Sequence, residues 1–160
     1  GGTSMSIEIE RKYLVINDLW KKSNPRAHIC RQGYIMADPS CSIRVRLTDE
    51  RAFLAVKKQK KGLARWEFEY EIPLSDAEEM LNNLCTSPLI EKTRYLVPFA
   101  GHIWEIDVFA GQNTGLAVAE VELQQENEII QIPAWLGLDV THDPRYLNIN
   151  LVKHPFSSWR

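Results

Sequence analysis

The feature that most constrains this chain is a period-two alternation whose polar face is built almost entirely from charged residues. It runs through Ser6–Ile16, Ser42–Leu47, Phe53–Lys57, Arg65–Ile72, Lys92–Val97, His102–Phe109 and Val118–Leu123. Successive side chains of a strand point to opposite sides, so the alternation predicts strands with two chemically different faces. Glu8, Glu10 and Lys12 share a face, opposite Ile7, Ile9 and Arg11. Arg44 and Arg46 oppose Ile43, Val45 and Leu47, and Lys57 lies with Ala55. Arg65, Glu67, Glu69 and Glu71 oppose Trp66, Phe68, Tyr70 and Ile72. Lys92 lies with Arg94, Glu105 with Asp107, and Glu120 with Glu122.

A solvated outer face accounts for any one of these strands. It accounts poorly for the set. Solvated strand faces mix Thr, Ser, Gln and Lys, whereas here some strands are nearly pure carboxylate and others pure Arg or Lys. Like charges on one face repel unless something of opposite sign lies between them. A closed barrel with a polar lumen, its apolar faces outward under helices, satisfies the pattern. Its acidic side would take hard divalent cations through carboxylate oxygens. Its basic side would take a polyanion through Arg forks and Lys ammoniums. The expected class is α+β, predominantly antiparallel β, in one domain.

Helix signals are fewer. Pro73, then Ser75 with Glu78 three positions on, reads as a capping box opening a helix over 75–84. Glu126–Ile130 reads as a helical turn, and Asn17–Pro25 as a short helix and turn. Pro144 after Asp143 suits the first position of a last helix running through Leu151, toward Lys153. Lys58–Gly62 reads as a basic hairpin turn.

The 160 residues carry a net charge of −2, which argues against nucleic acid as a partner while leaving room for a local basic pocket. No apolar run is long enough to cross a bilayer as a helix, so no membrane role is expected. Cys30, Cys41 and Cys85 form no CxxC pair and read as reduced thiols of a cytoplasmic protein. Residues 1–4 read as a tag remnant, residues 5–154 as the domain and 155–160 as a tail. His28, His102, His142 and His154 lack metal-ligand spacing, and no phosphate-binding GxxxxGK[ST] loop or nucleophile elbow occurs. Trp20, Trp135 and Trp159 read as packing residues.

Glu8-Ile9-Glu10-Arg11-Lys12 resembles the E-x-E-x-K signature that opens CYTH, or triphosphate tunnel metalloenzyme, proteins. Further elements follow in that family's order: Arg44-Val45-Arg46, Lys57, Arg65 with Glu67-Phe68-Glu69, and Glu91-Lys92-Thr93-Arg94-Tyr95. Trp104 to Phe109, Glu120-Val121-Glu122 and Asp143-Pro144-Arg145-Tyr146 with Asn148 complete the set, so the likeness spans Ser6 to Leu151. It is greatest to the short bacterial inorganic triphosphatases.

The resemblance implies an eight-stranded antiparallel tunnel that hydrolyses inorganic triphosphate with Mg²⁺ or Mn²⁺. It implies metal ligands at Glu8, Glu10, Glu120 and Glu122, with Asp107 assisting. Phosphate contacts fall to Lys12, Arg44, Arg46, Lys57, Arg65, Lys92 and Arg94, and catalysis to Lys92 and Glu10. Glu67, Glu69 and Glu105 are either metal-side ligands or ion-pair partners of the basic residues. Tyr34 either lines the tunnel or holds its hydroxyl at the surface. The last helix would close one end of the tunnel; Leu147 stands where some members carry Lys. The alternatives are a class IV-type adenylate cyclase, a thiamine or nucleoside triphosphatase, and a non-catalytic polyphosphate or nucleotide binder. A homodimer is expected from family habit alone.

Overall fold

A computed structural model describes residues 6–159. The tag expected at residues 1–4, and the last residue of the expected tail, lie outside the described residues. The elements in chain order are β1 (Ile7–Val15), β2 (Arg26–Asp38), β3 (Cys41–Thr48), β4 (Arg51–Gln59) and β5 (Ala64–Ile72), followed by α1 (Leu74–Asn83). Then come β6 (Ile90–Phe99), β7 (His102–Phe109), β8 (Ala117–Glu122), β9 (Leu136–Asp139) and α2 (Asn148–Lys153).

The strands pair in the order β5-β4-β3-β2-β6-β7-β8-β1, and β1 returns to β5, so eight antiparallel strands close a barrel. The closing seam is short: Ile7, Glu8 and Ile9 face Trp66, Arg65 and Ala64. Further along, β1 pairs with β8 through Glu10–Leu14 and takes β9 alongside near its end.

The alternation places the hydrophobic core outside the lumen. Tyr13, Trp104, Ile106, Ala119 and Val121 form the outer side of one wall and are covered by Trp20, Leu123, Trp135 and Leu136. Ala77 and Leu81 of α1 pack on Val45, Leu47 and Ala52 of β3 and β4. At one end of the barrel α2 lays Ile149, Leu151 and Val152 against Ile90, Phe109 and Val118, with Tyr146 and Trp159 alongside. Removing such side chains from water, at about 1.5–3 kcal/mol each, stabilises the wall from outside and leaves the inner face free for charge.

Several local expectations need correction. The first helix begins at Leu74 after Pro73, and no side chain caps it, so Ser75 lies inside its first turn and the capping box does not form. Glu126–Ile130 is a turn and irregular chain without helix. The last helix is split: Pro144–Tyr146 makes a 3-10 turn whose N-cap Asp143 accepts from the Arg145 amide, and Leu147 is extended before α2 begins. Two strands escape the alternation, β2 and β9. The 3-10 turn Leu19–Ser23 falls within the expected Asn17–Pro25 segment, and the β4–β5 hairpin turns at Gly62 with φ +68°. Among the described residues no helix is long and apolar enough to cross a membrane, and the three cysteines are free.

Candidate functional site

The lumen holds a cavity of about 240 Å³. Glu8, Glu10, Lys12, Arg44, Arg46, Lys57, Arg65, Lys92, Arg94, Glu120 and Glu122 all line it, brought from six strands by one rule, the inward phase of each alternation. Glu67, Glu69, Glu105 and Tyr34 line it as well.

Register decides the electrostatics. Glu10 stands directly opposite Glu122, and Glu105 directly opposite Glu120. Like charges so placed are destabilising. Burial raises the Glu10 carboxyl well above the usual carboxylate range, and Glu120 and Glu8 add to the rise. Burial also raises Glu8, outweighing the pull of Lys57, and raises Glu122 with help from Glu105 and Glu67. Glu120 goes the other way. Burial opposes its ionisation, but Lys12 at 3.4 Å and Arg94 prevail and bring it down to about 2.

The cations are held by carboxylates. Lys57 lies 3.2 Å from Glu8 and 3.0 Å from Glu67. Arg44 bonds Glu69 at 2.9 Å, while its buried Nε has no hydrogen-bond partner among the described residues. Arg94 grips Asp107 through Nε at 2.8 Å and Nη2 at 2.9 Å, and Glu105 through Nη1 at 3.1 Å. Lys92 lies 2.8 Å from Asp107 and donates to Asn148 Oδ1 at 2.9 Å. Lys12 donates to the Tyr146 carbonyl at 2.9 Å.

Asp107 departs from the expected role. It is 0 % exposed, does not line the cavity, and both its oxygens are taken by Lys92 and Arg94. Burial alone would raise its pKa, yet the two cations push it far below the ordinary range. It anchors the basic side, with both oxygens held by cations. Glu67, Glu69 and Glu105 sit as ion-pair partners of Lys57, Arg44 and Arg94.

The donor set fits a hard divalent cation. Among the described residues no three acidic, His or Cys side chains form a closed metal cage. A metal ion would replace the protons that burial, with the neighbouring carboxylates, favours on Glu10 and Glu122. The sign follows. A carboxyl raised in the folded state destabilises the metal-free fold as pH climbs above its unfolded value, so metal has more to relieve at high pH. Melting curves with and without Mg²⁺ or Mn²⁺ are therefore expected to show a larger metal-induced gain in Tm at pH 8 than at pH 6. Equal gains at both would contradict the assignment.

Sequence reasoning missed Gln32, Ser42 and Asn148 as lining residues. All three carry no charge and so add nothing to the charged-face pattern; Asn148 belongs to the closing family element but has no role in that pattern. The final segment does close one end, with Leu147, Asn148 and Ile149 reaching the cavity. A second cavity of about 710 Å³ adjoins the first, sharing Arg46, Glu69, Arg94 and Glu105 and adding His28, Cys30, Phe53 and Leu96.

Comparison with known proteins gives a family match. The profile described as the CYTH domain matches residues 6–154. An inorganic triphosphatase of Acetivibrio thermocellus is 47% identical over 156 residues, covering 98% of this chain and 99% of that protein. An inorganic triphosphatase of Nitrosomonas europaea is 37% identical over 145 residues, covering 88% of this chain and 93% of the other. The crystal structure of an inorganic triphosphatase superposes with TM-score 0.64 at 34% identity, covering 91% of this chain and 93% of that one.

Proposed function

This chain belongs to the CYTH domain family, and on that premise we propose that it hydrolyses inorganic triphosphate to pyrophosphate and phosphate in its lumen, with Mg²⁺ or Mn²⁺. The observation that carries the proposal is the coexistence, in one 240 Å³ cavity, of directly opposed carboxylates and a basic wall with an unpartnered buried Arg44 Nε. The cavity is smaller than the roughly 300–1,000 Å³ of sites for drug-sized ligands, which suits a compact polyanion.

Glu8, Glu10, Glu120 and Glu122 are the residues that would hold metal. The bound ion would polarise phosphoryl oxygens and neutralise charge that the carboxylates would otherwise repel. Lys12, Arg44, Arg46, Lys57, Arg65 and Arg94 bind the equatorial and leaving oxygens, where charge develops as the terminal phosphoryl group transfers. Water attacks the terminal phosphorus, the bond to the bridging oxygen breaks, and pyrophosphate leaves. Lys92 takes the proton from the attacking water. Burial lowers its pKa to about 8, with Asp107 opposing and Arg94 and Arg46 adding to the fall.

As a base Lys92 must be neutral, so kcat/KM is expected to rise as pH passes through about 8. Lys92→Arg stays protonated and should remove that limb along with about 10²–10⁴-fold of rate. A rising limb unchanged in the variant would assign the base elsewhere.

The deciding assay is phosphate release from tripolyphosphate, ATP and thiamine triphosphate, with and without metal, with cyclic AMP measured in the ATP reaction. The second cavity offers room for an organic group, which is why the esters belong in the assay. Metal-dependent release from tripolyphosphate above all others supports the proposal. Cyclic AMP would make the chain a cyclase, and silence on every substrate would make it a binder.

A further inference from the structure

We propose that Gln32 and Asn148 are positioning residues: Gln32 aims Arg46 into the lumen through a neutral hydrogen-bond acceptor and so leaves its charge free for phosphate, and Asn148 fixes the orientation of Lys92, whose counter-ion is Asp107. The inference rests on the triphosphate reading of the site and concerns how its basic side is kept attractive.

Most lumen cations are compensated where they stand. Arg44, Lys57, Lys92 and Arg94 each have a carboxylate within 3.0 Å. Arg46 differs. Among the described residues it has no carboxylate at ion-pair distance, and its Nε donates to Gln32 Oε1 at 2.9 Å. Gln32 is only 1% exposed and pairs across the sheet with Arg46 on one side and Ile90 on the other. Its Nε2 donates to the Tyr34 hydroxyl at 3.0 Å and lies 3.5 Å from Asn148 Oδ1. With both ends of the amide engaged, its oxygen is committed to Arg46.

Asn148 acts on Lys92 by orientation alone, since Asp107 already supplies the counter-ion. The lysine nitrogen has three positions besides its carbon. Asp107 takes one at 2.8 Å and Asn148 Oδ1 another at 2.9 Å. The third is left for the cavity, whether it carries a proton or a lone pair. Asn148 opens α2 and is delivered there by the docking of Ile149, Leu151 and Val152 into the apolar cluster at that end.

The amide is the chemically significant choice. A carboxylate at position 32 would hold Arg46 equally well, as Glu69 holds Arg44, but would cancel the charge that a phosphate oxygen needs. A role in packing alone would not distinguish Gln from its isostere Glu; a role in orientation without neutralisation would.

The test uses Gln32→Glu, Gln32→Leu and Asn148→Ala in the full chain. Tm, metal-free tripolyphosphate affinity by calorimetry, and kcat and KM with Mn²⁺ are each measured. Gln32→Glu is expected to keep Tm while weakening tripolyphosphate binding and raising KM by about tenfold or more, since it neutralises a charge-assisted contact. Gln32→Leu and Asn148→Ala should each cost about tenfold in kcat, the size of one lost hydrogen bond, with KM within about twofold for Asn148→Ala. Binding by Gln32→Glu within about twofold of wild type would overturn the assignment of Gln32. Should that variant fail to fold, Asn148→Ala decides, and an unchanged kcat overturns the proposal. Wild-type protein that binds tripolyphosphate without cleaving it would remove the hydrolase reading, while the binding comparison would still judge Gln32.

Discussion

Glu10→Gln is expected to lower tripolyphosphate turnover by about a thousandfold or more and, at the same time, to make the metal-free protein more stable. Glu10 faces Glu122 across the β1–β8 pair, follows Glu8 on the same face, and is forced toward its protonated form by burial and by Glu120. An isosteric amide removes a charge that the empty fold would rather not carry, so Tm at pH 8 should rise or hold. The same change removes a metal-facing oxygen, and several kcal/mol of transition-state charge stabilisation is worth three orders of magnitude or more. Opposite movements of rate and stability are the signature of a residue kept for function. Steady-state phosphate release and a melting curve measure both. A rate near wild type would sink the metal role, as would an unchanged rate in Glu122→Ala.

Asp107→Ala is expected to cost about 3–5 kcal/mol of stability, because it leaves two buried cations without their shared counter-ion. For a chain of this size that corresponds to a Tm lower by roughly 10–15 °C. Lys92 lies 2.8 Å away and Arg94 grips both oxygens, so their mutual repulsion would go unopposed. The pH dependence has a definite sign. With its folded pKa held far below the unfolded value, Asp107 contributes stability above about pH 4 and loses it progressively below. Urea unfolding at pH 7 checks the magnitude. A loss below about 1 kcal/mol would mean that the cations have other ways to be satisfied.

Much of the barrel was legible because charge and periodicity agreed. On β1, β3, β7 and β8 the alternation itself separates lumen from core, while on β5 it separates the lumen from an exposed apolar face of Trp66, Phe68 and Tyr70; the lumen set follows from it. β2 was hidden. Gly33 faces outward, where a Cβ would meet Cys85 and Leu89 at 2.7 Å, and the register slips between Tyr34 and Met36. Its outward glycine and bulge erase the pattern that marks the other strands. β9 has only four residues, too few for any period to declare itself. Asp107 was placed on the correct strand face, but sequence does not show depth, and it lies beneath the cations. Gln32 is hidden for a different reason: it is uncharged, so no charged-face pattern marks it, and Asn148 is marked by the closing family element but not by charge.

The strand that closes the barrel has a consequence for how the protein comes into being. β1 is made first, yet its partners β5, β8 and β9 come from residues 64–66, 118–122 and 136–139. Until those arrive, it is an unpaired ribbon with Glu8 and Glu10 on one side and Ile7 and Ile9 on the other. The acidic half of the site is therefore incomplete until β8 has formed and taken β1 alongside. A truncated chain without this strand is a curved open sheet with two bare edges, the form that recruits neighbouring chains. One segment thus governs whether the molecule is a catalyst or an aggregate.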